Sequence, residues 1–236
     1  MTRPCLLLTR PAEEAAGTAE AARLAGFDTL AAPLLEIVPI EWSVPADAAP
    51  DSLLFTSARA PAFAMGLPPA LKGLPAYAVG PNTKEAVEKA GFRIVSTGAT
   101  DGSAIVARAA ADGRARILHL SGEQTARITS PPGTRLIRVP VYAARLAPAL
   151  PDSALVALRS GSLFATLLFS PRTARHFRQL LETHDVPVAG QRIVALSPAV
   201  AAAAGPGWRD IAIAAMPARE QALAAALGLW QGLPHD

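Results

Sequence analysis

The 236-residue chain is 51% hydrophobic but only 5% aromatic, enough for one large or two small domains with cores of Leu, Val, Ile and Ala. One cysteine, Cys5, excludes an internal disulfide and any cysteine-ligated metal cluster, and the four histidines show no metal-ligand spacing. A net charge of +3, without a basic run or arginines interleaved with aromatics, argues against a nucleic-acid partner and suits a small acidic ligand.

The N-terminal MTRPCLLLTRP lacks the length and the small-residue cleavage site of a signal peptide. No apolar run reaches the roughly 18–20 residues that span a bilayer. The expectation is a cytoplasmic protein off the membrane, with Cys5 a small core residue at the head of the first strand.

One device recurs along the chain. LLLTRPAEEA (6–15), LLFTSARA (53–60), AVGPNTKEAV (78–87), ILHLSGEQTA (117–126), LLFSPRTA (167–174) and ALSPAVAAA (195–203) each begin as an apolar strand. Each passes through Ser, Thr or Gly, usually with Pro or a charge, into a helix-like run. The fifth shows the logic. Ser170 is a good N-cap, and Pro171 suits the first helical position, where its missing N–H costs nothing. Strands alternating with helices at this spacing predict an α/β fold with parallel sheets, whose ligands gather at the carboxyl ends of the strands. SGS at 160–162 lacks a nucleophile elbow and reads as a loop.

The spacings suggest an internal duplication. LLF at 53–55 recurs at 167–169, AVGP at 78–81 matches ALSP at 195–198, and Gly26…Pro33 matches Gly133…Pro140. Two proline-rich stretches, 36–52 and 141–153, read as linkers. They predict a discontinuous α/β domain (1–37 plus 149–236) and an inserted α/β domain (42–143), with hinges at about 38–50 and 141–152. The cleft between the domains is then the expected ligand site.

Taken in order, LLLTRP, AGF…PLLEI, LLFTSARA, AVGPNTKEAVEKAGF, VPVY (139–142), LLFSPRTA and ALSPAVAAA resemble the uroporphyrinogen-III synthase family over essentially the whole chain. The resemblance implies two flavodoxin-like domains joined by a two-stranded ladder. It implies an enzyme, a cyclising lyase, that takes hydroxymethylbilane, loses water, inverts ring D through a spiro intermediate and closes uroporphyrinogen III. No metal or organic cofactor is expected. The implied partners are the substrate and a transient contact with the preceding enzyme of the pathway; the protein itself reads as a monomer.

The same resemblance nominates residues. Tyr142 matches a family tyrosine and could donate to the departing hydroxyl as a general acid. Arg10 either pairs with a substrate carboxylate or braces its turn against a neighbouring acid, and bracing is favoured. Thr56 and Ser57, Thr83, Ser121 and Gly122, Ser170 with Pro171, and Ser197 are the expected substrate-binding set. His119-Leu120-Ser121 replaces the family's usual apolar-Arg approach, and Arg127, a turn further on, is the expected replacement charge. Ser197-Pro198-Ala199-Val200 departs from a common Gly-Pro-Thr-Thr turn, which loses hydroxyls there. On the residues alone a rival stays open: a non-catalytic two-domain protein that binds small anions or tetrapyrroles.

Overall fold

The computed structural model describes residues 3–98 and 101–233. The chain opens with β1 (Cys5–Leu8), α1 (Ala12–Leu24) and β2 (Asp28–Ala31), then enters β3 (Leu35–Pro39). There follow β4 (Ser52–Phe55), the one-turn helices α2 (Ala60–Phe63) and α3 (Pro69–Lys72), β5 (Ala76–Ala78), α4 (Pro81–Lys89), β6 (Ile94–Thr97), α5 (Gly102–Ala111) and β7 (Arg116–Gly122). After the long β8 (Arg135–Leu146) come α6 (Asp152–Ser160), β9 (Leu163–Leu168), α7 (Pro171–Thr183), β10 (Arg192–Ala195), α8 (Pro198–Ala204), β11 (Asp210–Ile213) and α9 (Arg219–Gln231). The chain forms two compact units, one of Met1–Glu36 with Arg145–Asp236 and one of Ile37–Ala144. Both crossings between them fall inside strands, β3 and β8, within stretches that composition alone reads as irregular.

In the first unit a five-stranded parallel sheet runs β11-β10-β9-β1-β2, the flavodoxin-like order. Its central strands, β1, β9 and β10, are covered on both faces. Leu7, Leu168 and Ile193 pack with Phe177 and Leu181 of α7 and with Trp208, while Leu6, Leu8, Leu167 and Val194 pack with α1 and α9. That two-sided burial is why the strands read as unbroken apolar runs rather than alternating ones. Phe177 and Trp208 stack at 6.0 Å between centroids.

In the second unit a six-stranded sheet runs β3-β8-β7-β4-β5-β6. The pairs from β8 to β6 are parallel. Leu53, Phe55, Leu118 and Leu120 face one core, and Leu54, Tyr77 and Ile117 face the other, against α5. Counted outward from β4 here and from β9 in the first unit, the two sheets carry the same strand order. In each, the direction of winding reverses beside the central strand: between β1 and β9, and between β4 and β7.

Several expected helix starts differ. After Ser121-Gly122 no helix forms, and residues 123–134 return to the parallel β8 as a loop. Thr125, Ile128 and Thr129 are β-branched, and Pro131-Pro132-Gly133 forbids continuation, so the local sequence cannot hold a helix there. Arg127 therefore lies on this loop, not one helical turn on. After Thr56-Ser57 only one helical turn forms, beginning at Ala60 with no side-chain cap. Pro11 occupies the N-cap of α1, and Thr9 instead donates to the Leu167 carbonyl of β9 at 2.6 Å.

Ser170 and Ser197 do cap their helices, accepting from the Thr173 and Val200 amides at 3.1 and 3.4 Å, with a proline next in each. Ser170→Ala is expected to lower stability by about 1 kcal/mol, and Ser197→Ala, with its longer bond, by less. Urea denaturation with an unchanged m-value checks both.

Candidate active site

In the second unit the polar groups collect where the winding reverses, at the ends of β4 and β7, the place where open α/β sheets bind ligands. β4 ends at Phe55, and Thr56 follows on the face of Leu54, under α5. On β7, Ile117, His119 and Ser121 share that face. Thr56 Oγ1 and His119 Nε2 thus meet at 2.9 Å although 63 residues separate them.

His119 is 1% exposed. Burial, and then the Arg138 guanidinium opposite it on β8, push its imidazole down to about 4, so it is neutral at pH 7. Arg138 itself is directed at the end of β7. It donates to Ser121 Oγ at 3.1 Å, to the Gly122 carbonyl at 2.8 Å and to the Glu123 carbonyl.

Tyr142 is placed by an irregularity in the sheet. Ser121 pairs with Pro140, but Gly122 pairs with Tyr142, so the ladder between β7 and β8 slips by one residue at Val141. Such a bulge re-aims the side chain that follows it. The Tyr142 ring lies against the Gly122 backbone, with Phe63 of α2 at 5.4 Å between centroids. A Cβ on Gly122 would come within 2.8 Å of the ring, so only glycine admits it. The Tyr142 hydroxyl donates to Ser57 Oγ at 2.9 Å.

Beside this cluster a pocket of about 470 Å³ is lined by Thr56, Val79, Asp101, Gly102, Ser103 and residues 125–128. Ile128 reaches over the start of α5 so closely that a Cβ on Gly102 would lie 2.7 Å from it. Arg127 is the cation of the lining. Asp101 is engaged as the cap of α5, accepting from the Ala104 amide at 2.9 Å. Among the described residues no group of His, Cys, Asp and Glu could hold a metal ion.

The structure brings Thr56, Ser57, Ser121, Gly122 and Tyr142 to one strand-end cluster. Thr83 is buried in the first turn of α4, after the neighbouring strand β5. In the first unit, Arg10 and Ser170 follow the adjacent strands β1 and β9, and Ser197 follows β10. Arg10 pairs with Glu14 and lies 4.6 Å over the Phe169 ring, the bracing arrangement. The sequence reading missed His119 and Arg138 as members of the cluster. Their signal was present: polar residues within otherwise apolar strands, ILHLSG and RLIRVPVY.

A family model described as Uroporphyrinogen-III synthase HemD matches residues 16–224. Among solved structures the chain is similar to the uroporphyrinogen-III synthetase of Helicobacter pylori, at 17% identity and a TM-score of 0.57, over 97% of this chain and 100% of that one. It also aligns with the native wild-type uroporphyrinogen III synthase of Thermus thermophilus, at 16% identity and a TM-score of 0.38, over 97% of each chain. Comparison with curated proteins gave no match. At 17% identity the Helicobacter pylori structure speaks for the fold alone.

Two outcomes follow from the cluster. As pH falls from about 6.5 towards 4, the unfolded chain takes up a proton at His119 while the folded chain does not. Stability therefore drops over that window, by roughly 3 kcal/mol from this group. His119→Gln is expected to flatten that part of the profile, read by denaturant titrations at about pH 7, 5.5 and 4.5. Gly122→Ala forces the Tyr142 ring to move, and urea denaturation should show a loss of about 1–3 kcal/mol.

Proposed function

The chain belongs to the uroporphyrinogen-III synthase family, and we propose that its strand-end cluster carries out that family's ring closure with Tyr142 as the source of the acid proton. The substrate is hydroxymethylbilane, a linear tetrapyrrole with an acetate and a propionate on every ring. The reaction removes its terminal hydroxyl as water, inverts ring D through a spiro intermediate and closes uroporphyrinogen III. In class it is a cyclising lyase reaction.

The observation that carries this reading is the Tyr142–Ser57 hydrogen bond, at 2.9 Å, where the winding of the second sheet reverses. Loss of hydroxide from carbon is slow without a proton, and the Tyr142 phenol is the source of one in this cluster. Leaving water generates an azafulvene cation, which ring D attacks through its substituted carbon. The protein's further task is to hold the flexible chain so that this attack precedes direct head-to-tail closure.

Carboxylates give the handles for that. The pocket beside Thr56 offers the Arg127 guanidinium with the hydroxyl-bearing Ser103 and Thr125 to one acidic arm. Ser170 and Pro171 open the 13-residue α7, whose first-turn amides suit a carboxylate. Ser197 opens α8 and Thr83 lies in the first turn of α4, each at its own strand end, Arg10 braces its turn through Glu14, and Ser121 and Gly122 act by shaping the floor beneath Tyr142. Among the described residues no helix is long and apolar enough to cross a membrane. The free thiol of Cys5 suits a reducing compartment, and we place the enzyme in the cytoplasm as a monomer.

The deciding measurement supplies freshly made hydroxymethylbilane, oxidises the products and separates the type I and type III isomers by chromatography. Mostly type III is expected. Type I alone, at the spontaneous rate, would leave a binding protein rather than an enzyme. Tyr142→Phe should slow type III formation about 100-fold, at the lower end of what a positioned acid contributes, with the thermal midpoint little changed.

A further inference from the structure

Resting on the ring closure proposed above, we infer that Tyr142 does not meet the leaving group itself: Ser57 is the catalytic residue that protonates it, and Tyr142 reloads Ser57. Ser57 Oγ accepts two hydrogen bonds, from the Tyr142 hydroxyl at 2.9 Å and from the Arg59 amide at 3.3 Å. A serine hydroxyl has two acceptor lone pairs and one proton to donate. Both lone pairs are engaged, so its own proton points away from both donors. The tyrosine proton, in contrast, is committed to Ser57. The ring that bears it is enclosed by Phe63 and the Gly122 backbone and is 8% exposed, whereas Ser57 is only partly buried.

The step balances without a co-reactant. Ser57 Oγ–H gives its proton to the terminal hydroxyl of the substrate as the C–O bond breaks. The oxygen keeps the bonding pair and departs as water. In the same movement Ser57 Oγ takes the proton of Tyr142, leaving a phenolate beside the azafulvene cation, and the two charges stabilise each other. Once ring D has flipped and reclosed, its α carbon loses a proton and the C–H pair restores the pyrrole. That proton returns through Ser57 to the phenolate. The net change is one water released, and both side chains end as they began.

The test is a double-mutant cycle in the full-length protein with hydroxymethylbilane, reading kcat for type III formation. Ser57→Ala and Tyr142→Phe should each lower kcat about 100-fold, and the double variant should be no slower than either. Ser57→Thr, which keeps the hydroxyl, should retain most of the activity. Single-turnover rates in mixtures of light and heavy water should curve for the wild type, with two protons in flight, and become linear in Tyr142→Phe. Ser57→Gly, which also lacks the hydroxyl, gives the same reading should the alanine variant not fold.

Near-normal kcat in Ser57→Ala with a large loss in Tyr142→Phe would overturn the relay in favour of direct donation. Multiplying losses would overturn it as two separate roles. Normal rates in both variants would remove the pair from the chemistry while leaving the ring-closing activity standing. Absence of type III product from the wild type would instead sink the proposed function itself.

Discussion

Two-sided burial of parallel strands governs the rest of this structure. A strand covered on both faces has little place for a polar side chain along its length, so chemistry gathers where the strand emerges. In both units the emerging ends carry Thr, Ser or Gly. The reversal of winding, between β1 and β9 and between β4 and β7, opens a gap in the helix layers at those ends. The hydrogen bonds that stitch the gaps are Thr9 to the Leu167 carbonyl in one sheet and Thr56 to His119 in the other.

In the second unit β7 departs from this tendency, and the departure serves the site. His119 and Ser121 are polar side chains inside a strand, and both are satisfied. His119 is held neutral and bonded to Thr56, while Ser121 is bonded to the Gly122 carbonyl and to Arg138. A buried polar residue without partners would cost several kcal/mol, so the network has to be complete to be tolerated. Arg138 completes it by binding carbonyls of the strand end. The guanidinium thereby fixes the peptide against which Tyr142 rests.

The missing helix bears on the same site. A helix between β7 and β8 would cover the end of the sheet on the α5 side. The extended loop that replaces it brings Ile128 onto Gly102 and leaves the pocket in which Arg127, Thr56 and Ser103 are lining residues. A short, proline-stopped connection thus keeps the strand end open.

Much of the fold was legible because its causes are local. Apolar runs such as LLF and ILHL, and the Ser-Pro pairs at 170–171 and 197–198, act within three or four residues, through burial and through the capping of the nearest amide. The parallel α/β class and the family follow from their order. The helix expected after Ser121 does not form because the helix-like residues there run into β-branched Ile128 and Thr129 and the stop at Pro131-Pro132. What the tertiary structure alone decided are the pairs: Thr56 with His119, Ser57 with Tyr142 across 85 residues, and Arg138 with the end of β7. A hydrogen bond between distant segments depends on strand order and register, and a one-residue bulge at Val141 is enough to turn Tyr142 towards Ser57. Local sequence determines which residues are fit for the strand ends; only the register of the sheet determines which of them meet.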